Sequence, residues 1–442
     1  MRNYIFLKIT LIVFISGIYK SLEGQDSIKI YSLEDVIRLT IEKNYQIQSI
    51  KILEKEVSNQ STWGNAGLLP VLSSSGGVFS SNSNNQLEFA QGVGTINNSK
   101  AVSNNYNAGV HLNYTVFDGF NNIYTFRKLQ TKDKIAELQT KLVIESNLLT
   151  AIQLYFEVLI NKGQLEIYQE AMSVSKSRME KAKYKTEIGA TAEYEFNNSV
   201  IDYNNDSINF LQQMIISKKT MNNLQLFIGL SPLIDVDVES VFFTKNIPSF
   251  DTLKNKAITQ ETSLLLSQIN MQLSEVESKQ SYSEYFPVVA AGFNYEYLGS
   301  QSNANIVLRS TTFGFTGNLS LNWNLFDGGK REIALQNAKL EIERNSLLMS
   351  EAQNKVVKEL KDAYEMYMSN INLCNLLNIN LNASENAYKR AMEYYQVGKI
   401  TGIELRESQI KISRTRMVLN NLGYTNCIQF YNILRLSGEL IN

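Results

Sequence analysis

The sequence predicts a mainly α-helical protein with a β-barrel part, in which one structural unit occurs twice. The tripeptide Phe-Asp-Gly at 117–119 returns at 326–328, which is 209 positions later. The same spacing relates further pairs without a gap: Gly189 with Gly398, Glu195 with Glu404, and Gly229 with Gly438. A period of this length exceeds that of solenoid repeats, so it indicates two tandem copies of a large unit. Each copy also contains segments in strand period followed by a long, uninterrupted helical pattern.

The composition excludes several classes of function. The chain has 442 residues, with 42 Lys and Arg against 43 Asp and Glu and no basic tract, so a nucleic-acid partner is not expected. It contains one histidine, His111, and two cysteines, Cys374 and Cys427. These are too few for most metal sites, for a repeated Ser-His-Asp arrangement or for a disulfide framework. We therefore predict no catalytic residue, no metal, no cofactor and no enzymatic activity.

The first 24 residues have the features of a secretory signal peptide. Arg2 and Lys8 lie around the start of an apolar run over 9–18, which is too short to span a bilayer. Beyond this segment we find no run of about 18 apolar residues, so a helical membrane span is not expected. The rest of the chain divides into a first repeat, an inter-repeat segment and a second repeat, over 25–230, 231–255 and 256–442.

The first repeat begins with a helix. Ser32 and Asp35 form a capping-box pattern, which predicts a helix that runs to about Gly67 and ends before Pro70. The segment from 80 to 107 is rich in Asn, Ser, Gln and Gly, and this composition predicts a polar loop.

Each repeat also contains strands with one polar and one apolar face. In the first repeat, His111, Asn113 and Thr115 alternate with apolar residues. In the second, Gly317 alone interrupts an apolar face that consists of Phe313, Phe315, Leu319, Leu321, Trp323 and Leu325. The polar face is mostly Asn, Ser and Thr, and the apolar face is unusually aromatic, which is typical of a transmembrane barrel wall. A sheet of a soluble protein remains an alternative.

The number of strands requires association between chains. Each repeat supplies two strands, so one chain supplies four. A closed membrane barrel needs at least about eight strands to leave no unpaired edge in the hydrocarbon. The chain must therefore form an oligomer, in which two copies would give eight strands and three would give twelve.

A long helix follows each Phe-Asp-Gly motif. The first, from about Phe120 to Ile188, contains no proline and would be roughly 100 Å long. Apolar residues in heptad spacing form two neighbouring seams, one of Ile135, Leu138, Leu142, Leu149, Ile152, Phe156 and Leu159, the other of Ile144, Leu148, Ala151, Tyr155 and Val158. A helix with two seams has a neighbour on each side and can join a closed ring. After Gly189 and Gly398, return helices are expected, and the alternation at 235–238 predicts a short strand.

This order of elements resembles the TolC-like outer-membrane efflux proteins over the whole mature chain. The resemblance rests on the capped start, the Leu-Leu-Pro at 68–70, the strand pair, the Phe-Asp-Gly motif, the long helix, the glycine turn and the return helix, followed by their second copy. It implies a homotrimer in which twelve transmembrane strands form one barrel in outer-membrane lipid. It also implies a periplasmic α-barrel of long coiled-coil helices, whose far tip meets a periplasmic adaptor protein and an inner-membrane transporter.

The resemblance assigns a docking role to the two glycine turns. The segments Ile188-Gly189-Ala190 and Val397-Gly398-Lys399 resemble the family's tip motif. They are therefore the expected sites for the adaptor protein.

The resemblance also implies a pore constriction close to these turns. Glu404 and Glu407 match carboxylates that narrow the entrance, Glu195 is the corresponding position of the first repeat, and Tyr395 matches a gate position. Ile400 stands where the family has a basic gate residue. Independently of the resemblance, Glu404 and Glu407 are three positions apart and share a helix face. Three symmetry copies would favour cations there, and mutual repulsion would raise the pKa of these carboxyls.

The sequence supports one function best and leaves a second open. The first is the exit duct of a tripartite efflux or type I secretion system, which conducts substrates passively from an inner-membrane pump across the periplasm and outer membrane. The alternative is a structural or adhesive envelope protein built on a long helical bundle. A periplasmic hydrolase is disfavoured, because His111 lies on the polar face of a strand and its equivalent in the other repeat is Ser320.

Overall fold

The computed structural model describes residues 29–88, 95–189, 193–241, 245–304 and 307–441. The predicted signal peptide and Ala190 of the predicted tip motif lie outside these described residues. The chain divides into two compact units, and each of them takes segments from both sequence repeats. The helical unit comprises the described parts of 1–50, 141–261 and 355–442, and the sheet unit comprises those of 51–140 and 262–354.

The helices and strands repeat along the chain as the sequence predicts. The long helices contain 67 residues each and the return helices 35 each, and those of the second repeat begin and end 209 positions after those of the first. The strands are β1 (Lys29–Tyr31), β2 (Val71–Glu88), β3 (Thr95–Phe117), β4 (Val236–Val238), β5 (Val288–Ser302) and β6 (Arg309–Asn322). The helices are α1 (Leu33–Lys43), α2 (Tyr45–Gln60), α3 (Asn121–Glu187), α4 (Glu193–Phe227), α5 (Phe250–Gln260), α6 (Thr262–Ser281), α7 (Lys330–Gln396) and α8 (Gly402–Leu436).

The sheet unit contains a four-stranded antiparallel sheet with the order β2-β3-β5-β6. The prediction of a polar loop between Ser80 and Asn107 is wrong, because β2 continues to Glu88 and β3 begins at Thr95. Ser80, for example, pairs with Asn104 in the ladder between them. Backbone hydrogen bonds hold such a ladder together whatever the side chains are, so a run of Ser and Asn can form a strand as well as a loop.

One face of this sheet is apolar and exposed. Phe293 is 60% exposed and Phe315 is 86% exposed. Gly317 lies opposite Phe293 in the ladder, and the Phe293 ring covers the place where the glycine has no side chain. Trp323 and Leu325, which the sequence pattern placed on this face, lie beyond the end of β6. Other exposed members of the apolar face are Val78, Tyr106, Val110, Tyr114, Tyr295, Tyr297, Phe313, Leu319 and Leu321.

The two outer strands of the sheet leave their edges unpaired. Within the described residues, β2 pairs only with β3 and β6 pairs only with β5. Each edge therefore presents a row of backbone N–H and C=O groups. An edge of this length is an open hydrogen-bonding surface that a strand of another chain can complete.

The helical unit is built around the two predicted seams of α3. Val36 of α1 and Leu224 of α4 pack in the same core cluster. By length and composition α3 contains a window that could cross a membrane, and 50% of that window is buried inside the chain. Burial against neighbouring helices accounts for an apolar stretch of this kind. The seam residues that are at most 3% exposed are Leu148, Ala151, Ile152, Tyr155, Phe156, Val158 and Leu159.

Two local predictions at the margins of the helical unit are confirmed. The Ser32 hydroxyl accepts a hydrogen bond from the backbone N–H of Asp35, and the Asp35 carboxylate accepts from the backbone N–H of Ser32, which completes a capping box at the start of α1. The predicted short strand is β4, which pairs in parallel with β1.

The helix predicted to run to Gly67 is interrupted at Asn44, which is extended and separates α1 from α2. The Asn44 amide nitrogen donates to the carbonyl of Phe227 at 2.9 Å. Its amide oxygen accepts from the backbone N–H of Gln46 at 2.9 Å, so it caps the next helix. A contact with a residue 183 positions away thus fixes the break, and local periodicity does not reveal it.

The same break occurs in the second repeat, where Glu261 is extended between α5 and α6. Each break packs against the glycine that ends the return helix of its own repeat. A Cβ atom on Gly229 would lie 2.8 Å from the Lys43 carbonyl oxygen, and one on Gly438 would lie 2.7 Å from that of Gln260. Both glycines also have positive φ, so no other residue suits these contacts.

The Phe-Asp-Gly motifs turn the chain into the long helices. The Asp118 carboxylate accepts from the backbone N–H of Asn122 at 2.8 Å, and the Asp327 carboxylate accepts from that of Arg331 at 3.2 Å. The glycines that follow have φ of +69° and +75°. The motif therefore combines an aspartate that satisfies first-turn N–H groups with a left-handed residue that redirects the backbone.

The two motifs should differ in their tolerance of a methyl group. A Cβ on Gly119 would lie 2.4 Å from the Ser283 carbonyl oxygen, whereas one on Gly328 would have no atom within 4 Å. We expect Gly119→Ala to lower the free energy of unfolding by about 2–5 kcal/mol, from backbone strain plus overpacking. Gly328→Ala should cost about 1–2 kcal/mol, from backbone strain alone. Thermal loss of the circular dichroism signal in detergent measures both, and equal losses would contradict the structural difference.

Candidate functional site

The two glycine turns join each long helix to its return helix. Gly189 and Gly398 have φ of +69° and +74°, and a Cβ on either would meet nothing within 4 Å. Backbone conformation, and not crowding, therefore favours glycine at both turns. Ile188 is 60% exposed and Val397 is 68% exposed, so each turn presents one apolar side chain outward. Lys399 is also exposed, with its ammonium 5.7 Å from the Tyr394 ring centre.

Glu404 has a capping role that the sequence analysis did not assign to it. Thr401 is the N-cap of α8, and Glu404 Oε2 accepts from the Thr401 backbone N–H at 2.7 Å and from its hydroxyl at 2.9 Å. These hydrogen bonds, the backbone one above all, hold the pKa of the Glu404 carboxyl below its ordinary value. Within one chain the pKa of Glu404 is therefore lowered, whereas repulsion between copies was expected to raise it. Glu407, one turn further on, is exposed.

Glu195 and Tyr395 line one small cavity of about 200 Å³ near the turns, and Glu404 and Glu407 do not line it. Tyr395 is 8% exposed. Burial raises the pKa of the Tyr395 phenol, and the nearby Glu195 charge raises it further. The cavity is also lined by Arg178, Tyr194, Asp202, Thr401 and Gly402. The structure therefore brings two of the predicted constriction residues together and places the other two on α8 outside that cavity.

Buried ion pairs connect the helices around this cavity. Arg178 of α3 pairs with Asp202 of α4 and donates to the carbonyl of Gly402 at 3.2 Å. Arg406 of α8 makes two hydrogen bonds of 2.7 Å to the two carboxylate oxygens of Asp206, whose side chain is 5% exposed. Sequence reasoning missed these pairs because their members lie on separate helices with no local spacing in common.

Polar contacts also continue the first seam of α3 where its heptad positions cease to be apolar. Arg416 of α8 pairs with Glu170 of α3 at 2.7 Å and with Glu385 of α7 at 3.2 Å. Beside Gly163, the Asn420 amide donates to the carbonyl of Ile160 at 2.9 Å. A partial signal for this change is present in the heptad pattern, since Glu170 occupies a seam position that an apolar residue would otherwise fill.

Comparisons with known proteins identify what the chain resembles. Residues 253–439 match the family described as outer membrane efflux protein. The fold is similar to that of the Campylobacter jejuni CmeC outer membrane channel, with a TM-score of 0.78 at 15% identity over 95% of this chain and 90% of that one. It is also similar to the Neisseria gonorrhoeae MtrE outer membrane channel, with a TM-score of 0.73 at 14% identity over 92% of this chain and 89% of that one.

A third similar structure is the outer membrane protein VceC of Vibrio cholerae, with a TM-score of 0.72 at 12% identity over 92% of this chain and 96% of that one. No curated protein sequence matches the chain. The sequence of the second repeat is thus similar to the outer membrane efflux protein family, and the described residues share the fold of the CmeC outer membrane channel.

Proposed function

We propose that this protein is the outer-membrane exit duct of an efflux assembly, through which substrates leave the cell passively. One observation carries the proposal: a four-stranded sheet with an exposed apolar face, a polar face and two unpaired edges belongs to the same chain as two 67-residue helices. A structural or adhesive protein of the envelope would need the long helices but not a sheet of this kind. The chain resides in the outer membrane and extends into the periplasm, and it performs no chemical reaction.

Three copies complete the wall of the duct in this proposal. The edge of β6 in one copy pairs with the edge of β2 in the next, so that twelve strands close and leave no unpaired backbone groups in the hydrocarbon. The exposed aromatic and aliphatic face then meets lipid, and the Asn, Ser and Thr face lines water. The long and return helices of the three copies form the periplasmic part.

The two glycine turns are the proposed contacts with partner proteins. Ile188 and Val397 are exposed beside glycines that tolerate a left-handed backbone, so each turn offers one exposed apolar side chain to a periplasmic adaptor. An inner-membrane transporter supplies the energy for export. The cargo consists of small toxic compounds or secreted polypeptides.

The ion pairs among the helices close the tip in this proposal. Arg406 and Arg178 link α8 and α3 to the aspartates of α4, and they do so near the turns where the apolar seams end. Ile400 cannot take part in a charge pair, so these arginines serve in place of the basic residue that the family has at that position. Opening requires that the pairs separate and that their charges regain water.

The proposed function is tested by the mass and conductance of the purified protein. We expect extraction from the outer-membrane fraction only with detergent, a native mass of three chains, and ion conduction in planar bilayers. A monodisperse single chain that conducts no ions would overturn the proposal. The structural or adhesive alternative predicts that second result.

Neutralising the α8 carboxylates should reduce cation selectivity. Gln can replace Glu at the third position of a capped helix, so Glu404→Gln combined with Glu407→Gln removes charge while the start of α8 keeps its cap. We expect a lower cation-to-anion permeability ratio, because three symmetry copies would lose six charges in all. Reversal potentials in a salt gradient measure this permeability ratio. An unchanged ratio would place both residues outside the pore.

Breaking the buried pair should open the tip more than breaking an exposed one. Asp206→Asn leaves Arg406, which is 17% exposed, without its main partner, at a cost of about 3 kcal/mol to the closed arrangement. Glu170→Gln is the matched control, since that carboxylate is 58% exposed and its pair is worth about 0–1 kcal/mol. We expect a higher open fraction in single-channel records, and faster hydrogen exchange in the first turns of α8, for Asp206→Asn only. Equal effects of the two variants would contradict this assignment.

A further inference from the structure

A histidine and a glutamate interrupt the otherwise uncharged polar face of the sheet. Where the structure describes the side chains of this face, His111 on β3 and Glu296 on β5 are the titratable ones. Their neighbours on the same face are mostly Ser, Asn, Thr and Gly, among them Ser75, Asn294 and Thr316, and Leu298 is an apolar exception. Neither residue belongs to the glycine turns or to the ion pairs of the helical unit.

Glu296 lies between two glycines. Gly109 of β3 and Gly314 of β6 are its partners in the two ladders. A Cβ on Gly109 would come within 3.0 Å of Glu296 Cγ and 3.3 Å of His111 Cε1, whereas one on Gly314 would meet nothing within 4 Å. Gly109 therefore makes room for the aliphatic part of the Glu296 side chain, and Gly314 leaves open space on the other side. The Glu296 side chain is 40% exposed as a result.

His111 is held on both sides of its ring. The Ser75 hydroxyl lies 2.8 Å from Nε2, and Nδ1 lies 3.1 Å from Asn294 Oδ1 and 3.5 Å from Glu296 Oε1. Since Asn294 Oδ1 and the carboxylate both accept, the partners assign a ring hydrogen to Nδ1. Through this nitrogen the ring orients the Glu296 carboxylate.

We propose that Glu296 is a cation-attracting, selectivity-determining site on the inner wall of the barrel, with His111 as its positioning residue. The proposal rests on the proposed function, because three copies are needed to place three such carboxylates around one lumen. The ligands it would take are small inorganic cations and cationic solutes in transit. The Glu296 carboxylate is exposed, and no lysine or arginine among the described side chains of this face pairs with it. It is therefore available to these solutes.

The charge of Glu296 is tested in planar bilayers at low salt, with potassium chloride as the probe. Glu296→Gln should lower the potassium-to-chloride permeability ratio by about a factor of two, as expected of three unit charges that act through water across a screened lumen. Glu296→Asp keeps the charge and should keep the ratio. Thr316→Glu adds a carboxylate to an exposed position of the same face and should raise the ratio. A ratio unchanged in both Glu296→Gln and Thr316→Glu, in channels that still conduct, overturns the proposal, whereas loss of conduction by the unmodified protein overturns the proposed function instead.

The role of His111 has its own readout. His111 Nδ1 lies against Glu296, and Ser75 on β2 and Asn294 on β5 are the other partners of its ring. In a His111→Ala channel the carboxylate loses this partner, so Glu296→Gln should change the potassium-to-chloride permeability ratio less than it does in the unmodified channel. His111→Gln keeps a side-chain donor and should preserve the full change. All of these channels keep the carboxylates of α8, so the differences between them report His111. An equal effect of Glu296→Gln in all three backgrounds would remove the positioning role.

Discussion

The structure depends on one constraint, which is that backbone groups in a sheet need partners wherever water is absent. The strands β2 and β6 each leave one edge unpaired within the described chain, and the apolar face between them is exposed. In hydrocarbon every unpaired N–H or C=O costs several kcal/mol, so this sheet cannot persist there alone. In the proposed duct, assembly is therefore part of folding, and the alternation of side chains matches lipid on one face and water on the other.

The duplication preserves the backbone and changes the contacts. The breaks at Asn44 and Glu261 hold equivalent places, and Gly229 and Gly438 pack against them in the same way. The two copies differ elsewhere, because Gly119 is crowded by Ser283 whereas its counterpart Gly328 is open. In the proposed trimer, the ring would have approximate six-fold regularity in its backbone but only three-fold regularity in its chemistry.

Features set by local periodicity could be predicted from the sequence. The ends of the long helices, the seams of α3 and the cap at Ser32 depend on residues a few positions apart. The strand after Ser80 was missed, because a Ser and Asn composition suits a loop as well as a strand that is hydrogen-bonded to a neighbour. The break at Asn44 and the pair between Arg406 and Asp206 were missed because their partners lie 183 and 200 positions away. The capping role of Glu404 was visible in the Thr401 spacing and was overlooked in favour of a pore charge.

In the proposed duct, the polar face of the sheet also determines how long a solute stays against it. Hydroxyl and amide groups, such as those of Ser75, Asn294 and Thr316, offer the same kinds of hydrogen bond as water. A molecule that exchanges hydration for this lining gains and loses little free energy at each step, so its residence time is short and its diffusion approaches that in bulk solvent. Where the structure describes this lining, most of it is polar and uncharged, so chemically unrelated cargoes can share one conduit.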